Sequence, residues 1–144
     1  NGISIDDYDR DGDLDLLMGS VNTGAQAAPG GVEQVHLFRN EVGSRRHWLY
    51  VTLEGREANR QGIGAKVTVT AGCVTQTREV SGGKGTFGAG DPAYAHFGLG
   101  EHTRIERLEV RWPTSPPKVD VFTDVAVDQF LEITEGEEGL SCSK

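Results

Sequence analysis

Six aspartates fall within ten residues, at Asp6, Asp7, Asp9, Asp11, Asp13 and Asp15, with Arg10 as the only basic residue among them. The run Asp7-Tyr8-Asp9-Arg10-Asp11-Gly12-Asp13-Leu14-Asp15 has carboxylates at loop positions 1, 3, 5 and 9 and glycine at position 6. That spacing lets carboxylate oxygens turn onto one hard cation, and the glycine permits the sharp turn that wraps the chain around it. Asp13, at position 7, offers its backbone carbonyl, so the predicted ligand set is Asp7, Asp9, Asp11, Asp13 and Asp15. Oxygen ligands without His or Cys select calcium, and magnesium more weakly, over transition metals. An EF-hand would carry a bidentate glutamate at position 12, where Met18 stands, and would be flanked by helices. The alternative is a solvated acidic turn, which five adjacent like charges make unfavourable without a counter-ion.

The elements that must hold this loop read as strands. Ile3 and Ile5 alternate before it, and Leu14, Leu16 and Leu17 follow it. Further short strands are expected at Val35–Phe38, Trp48–Leu53, Gly64–Ala71, Val74–Val80, Arg104–Trp112, Val119–Val125 and Gln129–Thr134. In two of them the inside–outside alternation is clean: Ala65, Val67, Val69 and Ala71 share one face, as do Leu108, Val110 and Trp112. Twenty glycines and five prolines punctuate these runs, and no sustained helical stripe appears. The expected fold is all-β, with short strands forming a sandwich or barrel.

Composition limits the functions open to such a chain. With 22 acidic and 14 basic residues, a net charge of -8 and a pI near 4.9, it repels phosphate backbones, so no nucleic-acid partner is expected. No apolar run reaches the roughly 20 residues of a membrane span. The start at Asn1 reads as an excised or processed piece of something longer. A Gly-, Ala- and Asn-rich loop at Val21–Val32 and a polar joint at Gly43–Arg46 suggest a boundary near residue 46, with residues 1–46 too few to hold a core alone. A second acidic group, Glu132, Glu135, Glu137 and Glu138, reads as solvated, the last residues (137–144) forming an acidic tail. Cys73 and Cys142 form no metal-binding pair, and their spacing leaves open whether they bridge.

The acidic run, followed by His36-Leu37-Phe38-Arg39-Asn40, resembles the calcium loop and closing strand of an FG-GAP/VCBS repeat, a repeat that forms β-propeller blades. About the first 45 residues carry that likeness. Residues 47–136 resemble an ASPIC/UnbV domain, through Trp48-Leu49-Tyr50-Val51, Asn59-Arg60-Gln61-Gly62-Ile63-Gly64-Ala65-Lys66-Val67, Gln76–Val80, Asp91-Pro92, His96-Phe97-Gly98-Leu99-Gly100 and Leu108–Pro113. The combination is that of the cartilage acidic protein family and its bacterial relatives. It departs at Gly82–Gly90, where relatives usually have a Ser-Gly-Tyr-Leu-Ser-Gln-like stretch. The resemblance implies a β-sandwich-like domain preceded by a partial β-propeller blade that packs on further blades of a parent protein. It also implies an extracellular or secreted setting (periplasmic or cell-surface in a bacterium) and a role in matrix, adhesion or cell-surface interaction with a protein or glycan partner.

Catalytic motifs are missing from the sequence: there is no G-x-S-x-G elbow, H-E-x-x-H or P-loop. His96 reads as a hydrogen-bonded structural histidine, Arg60 as an arginine pinning backbone carbonyls, and Trp48 and Trp112 as core. The reading is therefore a non-catalytic, calcium-binding module. Two alternatives make distinct demands. A carbohydrate-binding module would expose an aromatic platform of Tyr50, Phe87 or Tyr94, and an accessory domain of a biosynthetic enzyme would hold a deep pocket around His96 and Arg60.

Overall fold

The computed structural model describes residues 2–20, 34–83 and 92–142, without the side chains of residues 20, 34 and 142. The predicted loop at Val21–Val32 and most of the glycine-rich stretch, with Lys84, Phe87 and Asp91, lie outside the described residues. Among the described residues the chain is all-β, in three sheets. Among the described residues, no helix is long and apolar enough to cross a membrane.

The first sheet is antiparallel, ordered β1 (Gly2–Asp6), β2 (Asp15–Ser20) and β3 (Gln34–Phe38). Cross-strand partners in such a sheet share a face. The register sets Ile5 beside Leu16 and Phe38, with Ile3 on that same face, while Leu17 pairs with Leu37 on the other. Both faces keep large apolar side chains in solvent: Ile3, Ile5 and Phe38 on one, and Leu17, Leu37 and Val35 on the other, between 41% and 71% exposed.

The other eight strands form a sandwich. One layer holds β11 (Ser141–Cys142), β10 (Gln129–Thr134), β4 (His47–Glu54) and β7 (Ala95–Gly100) in that order. The other holds β6 (Val74–Glu79), β5 (Lys66–Ala71), β8 (Arg104–Arg111) and β9 (Val119–Ala126). Between them lies a core of Leu49, Val51, Leu53, Val67, Val69, Phe97, Ile105, Leu108, Val110, Trp112, Leu131 and Ile133. The expected alternation in β5 and β8 produces this inner face. Ile105 and Val125 break the parity with Leu108 and Phe122 yet are also buried. Between them Asp124 takes a left-handed φ of 60° and forms no ladder pair with Glu106, which turns both strands back onto the core.

The strand β4 is buried on both faces. Leu49, Val51 and Leu53 point into the core, whereas Trp48 and Tyr50, each 8% exposed, do not belong to it. Trp112 is core as expected, but Trp48 lies on the outer face of its layer. What covers it there is the acidic loop.

Candidate metal centre

The aspartate run forms the connection between β1 and β2, and the pair Asp6 and Asp15 closes its neck. Asp7, Asp9 and Asp15 each bring one carboxylate oxygen within 4.8 Å of the others, and Asp7 and Asp15 are buried. The loop's own amides hold this arrangement. Asp7 accepts from the Asp11 N–H (3.1 Å) and the Gly12 N–H (2.9 Å), and Asp15 accepts from the Tyr8 N–H (3.2 Å) and the Asn40 N–H (2.8 Å). Gly12 sits at φ +99°, a conformation that an L side chain rarely adopts.

The other two predicted ligands are placed differently. Asp11 accepts from the Asp13 N–H at 3.2 Å, and Asp13, buried beneath the loop, accepts from the Ser44 N–H at 2.9 Å. Neither belongs to the convergent group of three.

Arg39, distant in sequence, brings counter-charge to the aspartates. The Arg39 guanidinium lies 2.8 Å from Asp9, 3.1 Å from Glu41 and 3.8 Å from Asp11, and Asp9 first, then Glu41, raises its own pKa. Arg10, at φ 62°, lays its guanidinium 4.0 Å above the ring of Phe130. Two buried oxygens, Asp9 Oδ1 and Asp13 Oδ1, still have no hydrogen-bond partner among the described residues. A buried anionic oxygen without a partner carries its full desolvation cost. Burial also pushes the Asp7 carboxyl above its ordinary value, against the opposing pull of the Gly12, Asp11 and Arg10 amides. Clustered, partly unsatisfied carboxylate oxygens of this kind suit a hard divalent cation, with Asp7, Asp9 and Asp15 as the residues that would hold it.

The loop rests on an aromatic shelf of the sandwich. The Tyr50 hydroxyl donates to Asp6 (3.0 Å), the Tyr94 hydroxyl donates to the Ile5 carbonyl (2.7 Å), and His96 Nε2 meets the Gly12 carbonyl at 2.9 Å. Tyr50 stacks on Tyr94 with centroids 4.6 Å apart, and Phe130 packs against both Trp48 and Tyr50. Burial first, then the neighbouring Asp6 charge, pushes the Tyr50 hydroxyl well above its ordinary pKa, so it stays a donor.

Residues 55–140 match the family described as ASPIC and UnbV. The chain belongs to this family. Over 144 residues, 99% of the chain, it is 32% identical to cartilage acidic protein 1 of Xenopus tropicalis. Over 110 residues, 76% of the chain, it is 33% identical to cartilage acidic protein 1 of Homo sapiens. The chain spans about a fifth or less of the length of these relatives, 21% and 15% respectively. The acidic loop precedes the matched family region and lies within the stretch aligned with the Xenopus relative.

Within this ASPIC and UnbV domain, several expectations need correction. Arg60 does not pin carbonyls: it is exposed and lies 3.8 Å from Glu54. Asn59 does that work instead, accepting from the Ile63 N–H at 2.9 Å and donating to the Ile63 carbonyl at 2.5 Å. His96 and Ser81 line one cavity with Ile5, Leu14 and Arg78, and Arg60 is not among its walls. Tyr50 is buried and cannot form an exposed sugar platform. Cys73 is an exposed free thiol, and the topology explains why: β6 lies against β7, at the side of the sandwich away from β11 and Cys142.

The second acidic group is not simply solvated. Glu135 is 3% exposed, and its Oε2 accepts from the backbone N–H groups of Arg56, Glu57 and Ala58 at 2.8, 2.8 and 2.9 Å. Lys118 approaches its Oε1 at 3.3 Å. Burial raises the pKa of this carboxyl, but the three amides and Lys118 prevail and hold it at about 2. Period two in the sequence carried the signal, since Leu131, Ile133 and Glu135 share an inward parity. Part of the predicted acidic tail is likewise structured: Ser141–Cys142 pairs with β10, and Glu137 ion-pairs with Arg56.

Proposed function

We propose that this chain is a non-catalytic, extracellular calcium-binding module in which the end of a β-propeller blade (residues 1–46) is joined to an ASPIC and UnbV sandwich (residues 47–136). Its role is protein or glycan interaction. The observation that carries this reading is the convergence of Asp7, Asp9 and Asp15 beside buried carboxylate oxygens that have no partner. Calcium, when bound, supplies positive charge beyond that of Arg39. The residues themselves supply oxygen ligands, a glycine turn and an amide cage that fixes Asp7 and Asp15.

The three-stranded sheet supports the blade assignment, because it presents apolar side chains on both faces, as a sheet lying between two neighbours would. The name of the relatives, cartilage acidic protein 1, fits an extracellular site of action. His96 has its Nε2 occupied by the Gly12 carbonyl, which favours a structural role. Extracellular modules bind calcium with dissociation constants of roughly 10⁻⁴–10⁻³ M. At millimolar calcium such a site adds about 0.4–1.4 kcal/mol, a modest staple.

Calorimetric titration with calcium tests the proposal, with magnesium as the control and Asp9→Asn as the variant. The expected result is saturable calcium binding in the wild type, weakened at least about tenfold by loss of one ligand charge. Absence of calcium binding at millimolar concentration, in a folded sample, would overturn it.

A further inference from the structure

We infer that His96, Trp48 and Tyr50 of the sandwich are positioning residues of the cation site, so that cation binding and docking of the loop onto the sandwich are one coupled event. The inference rests on the calcium reading above and goes beyond it by placing part of the site's affinity outside the loop.

The path runs through Gly12. Its N–H donates to Asp7 at 2.9 Å, and Asp7 is one of the three convergent carboxylates. Its carbonyl faces His96 Nε2 at 2.9 Å. A carbonyl can only accept, so Nε2 carries the proton and donates. The same residue is gripped sterically: a Cβ at Gly12 would stand 1.9 Å from Trp48 Nε1, so the indole occupies the space where a side chain would be. Trp48 in turn lies parallel to the His96 ring, with 9° between the planes and 6.4 Å between centroids. The other end of the first half-loop is fastened too, because Asp6 accepts from both the Tyr50 hydroxyl and the Asp7 N–H at 3.0 Å. Asp7 is thus set from both sides by residues that β4 and β7 hold rigid.

Linkage makes the effect reciprocal. A shelf that pre-positions Asp7 raises cation affinity, and a bound cation must tighten the loop on the shelf by the same factor. A loop that merely touched the sandwich would bind its cation independently of His96.

The test is calcium titration of the whole chain, read by calorimetry and by tryptophan emission, on wild type, His96→Ala and His96→Gln. His96→Ala should bind calcium about threefold to tenfold more weakly, the worth of one buried hydrogen bond, and His96→Gln, which keeps a donor, should recover most of the loss. Calcium should also shift wild-type emission with the calorimetric midpoint, and Trp48→Phe should abolish that shift. Wild-type calcium affinity in folded His96→Ala, or calorimetric binding with no change in emission, would overturn the coupling while leaving the calcium reading intact. No calcium binding by the wild type would overturn both. Should His96→Ala fail to fold, Tyr50→Phe, which removes only the hydroxyl on Asp6, decides in the same way.

Discussion

Replacing Glu135 by glutamine should cost the fold about 2–3 kcal/mol at neutral pH, because the site is built for a negative charge. In the native state three backbone amides converge on one carboxylate oxygen and Lys118 approaches the other. Together they hold the carboxyl at about 2, against an ordinary glutamate value of 4.5. At 1.36 kcal/mol for each tenfold change in proton affinity, that difference corresponds to about 3 kcal/mol. Glutamine keeps an acceptor oxygen and loses the charge, so this figure is an upper bound. The folded-state value lies below the unfolded one, so the contribution is complete above about pH 4.5 and is lost as the pH falls toward about 2. Urea denaturation of wild type and Glu135→Gln at a series of pH values isolates the effect, since the other carboxylates titrate in both proteins. In thermal melts the neutral-pH gap should be roughly 4–12 °C for a chain of this size. A gap under about 0.5 kcal/mol at neutral pH, the size of an ordinary surface substitution, would refute the reasoning. So would a gap that stays constant as the pH falls.

Two further substitutions probe the loop and the core. Gly12→Ala should lose more than about 2 kcal/mol, since φ +99° strains an L residue and its Cβ would overlap the Trp48 indole. Denaturation followed at the tryptophan emission checks this, and an unchanged midpoint would show that the loop does not dock as described. Leu108→Ala, at a fully buried position paired with Val69 and Phe122, should lose about 2–5 kcal/mol in the same measurement.

What the sequence made legible was whatever depends on neighbours in the chain. Period-two alternation located the strands because a half-buried strand must place every second side chain inward, as Val67 and Val69 do. The aspartate spacing announced a turn that gathers carboxylates because a short loop can fold only a few ways around its own glycine. At Glu135 the parity shared with Leu131 and Ile133 outranks the neighbouring acidic residues, so the side chain is buried and not solvated.

Tertiary structure decided the rest, since it depends on residues far apart in sequence. Nothing in the local run announces that Arg39 will reach the aspartates. Pairing of β2 with β3 brings Arg39 to Asp9, while the left-handed turn at Arg10 sends that side chain to Phe130. Trp48 showed only that it belonged inside. Whether the core or the loop would cover it was settled by β4 lying between two layers, with the sandwich core on one face and Gly12 on the other. The sequence by itself thus determined that the chain is all-β and that it carries a clustered carboxylate loop, because alternation and loop spacing are local. Only the tertiary structure determined that Asp7, Asp9 and Asp15 converge, and that the sandwich holds the loop in place, because those contacts join residues up to 89 positions apart.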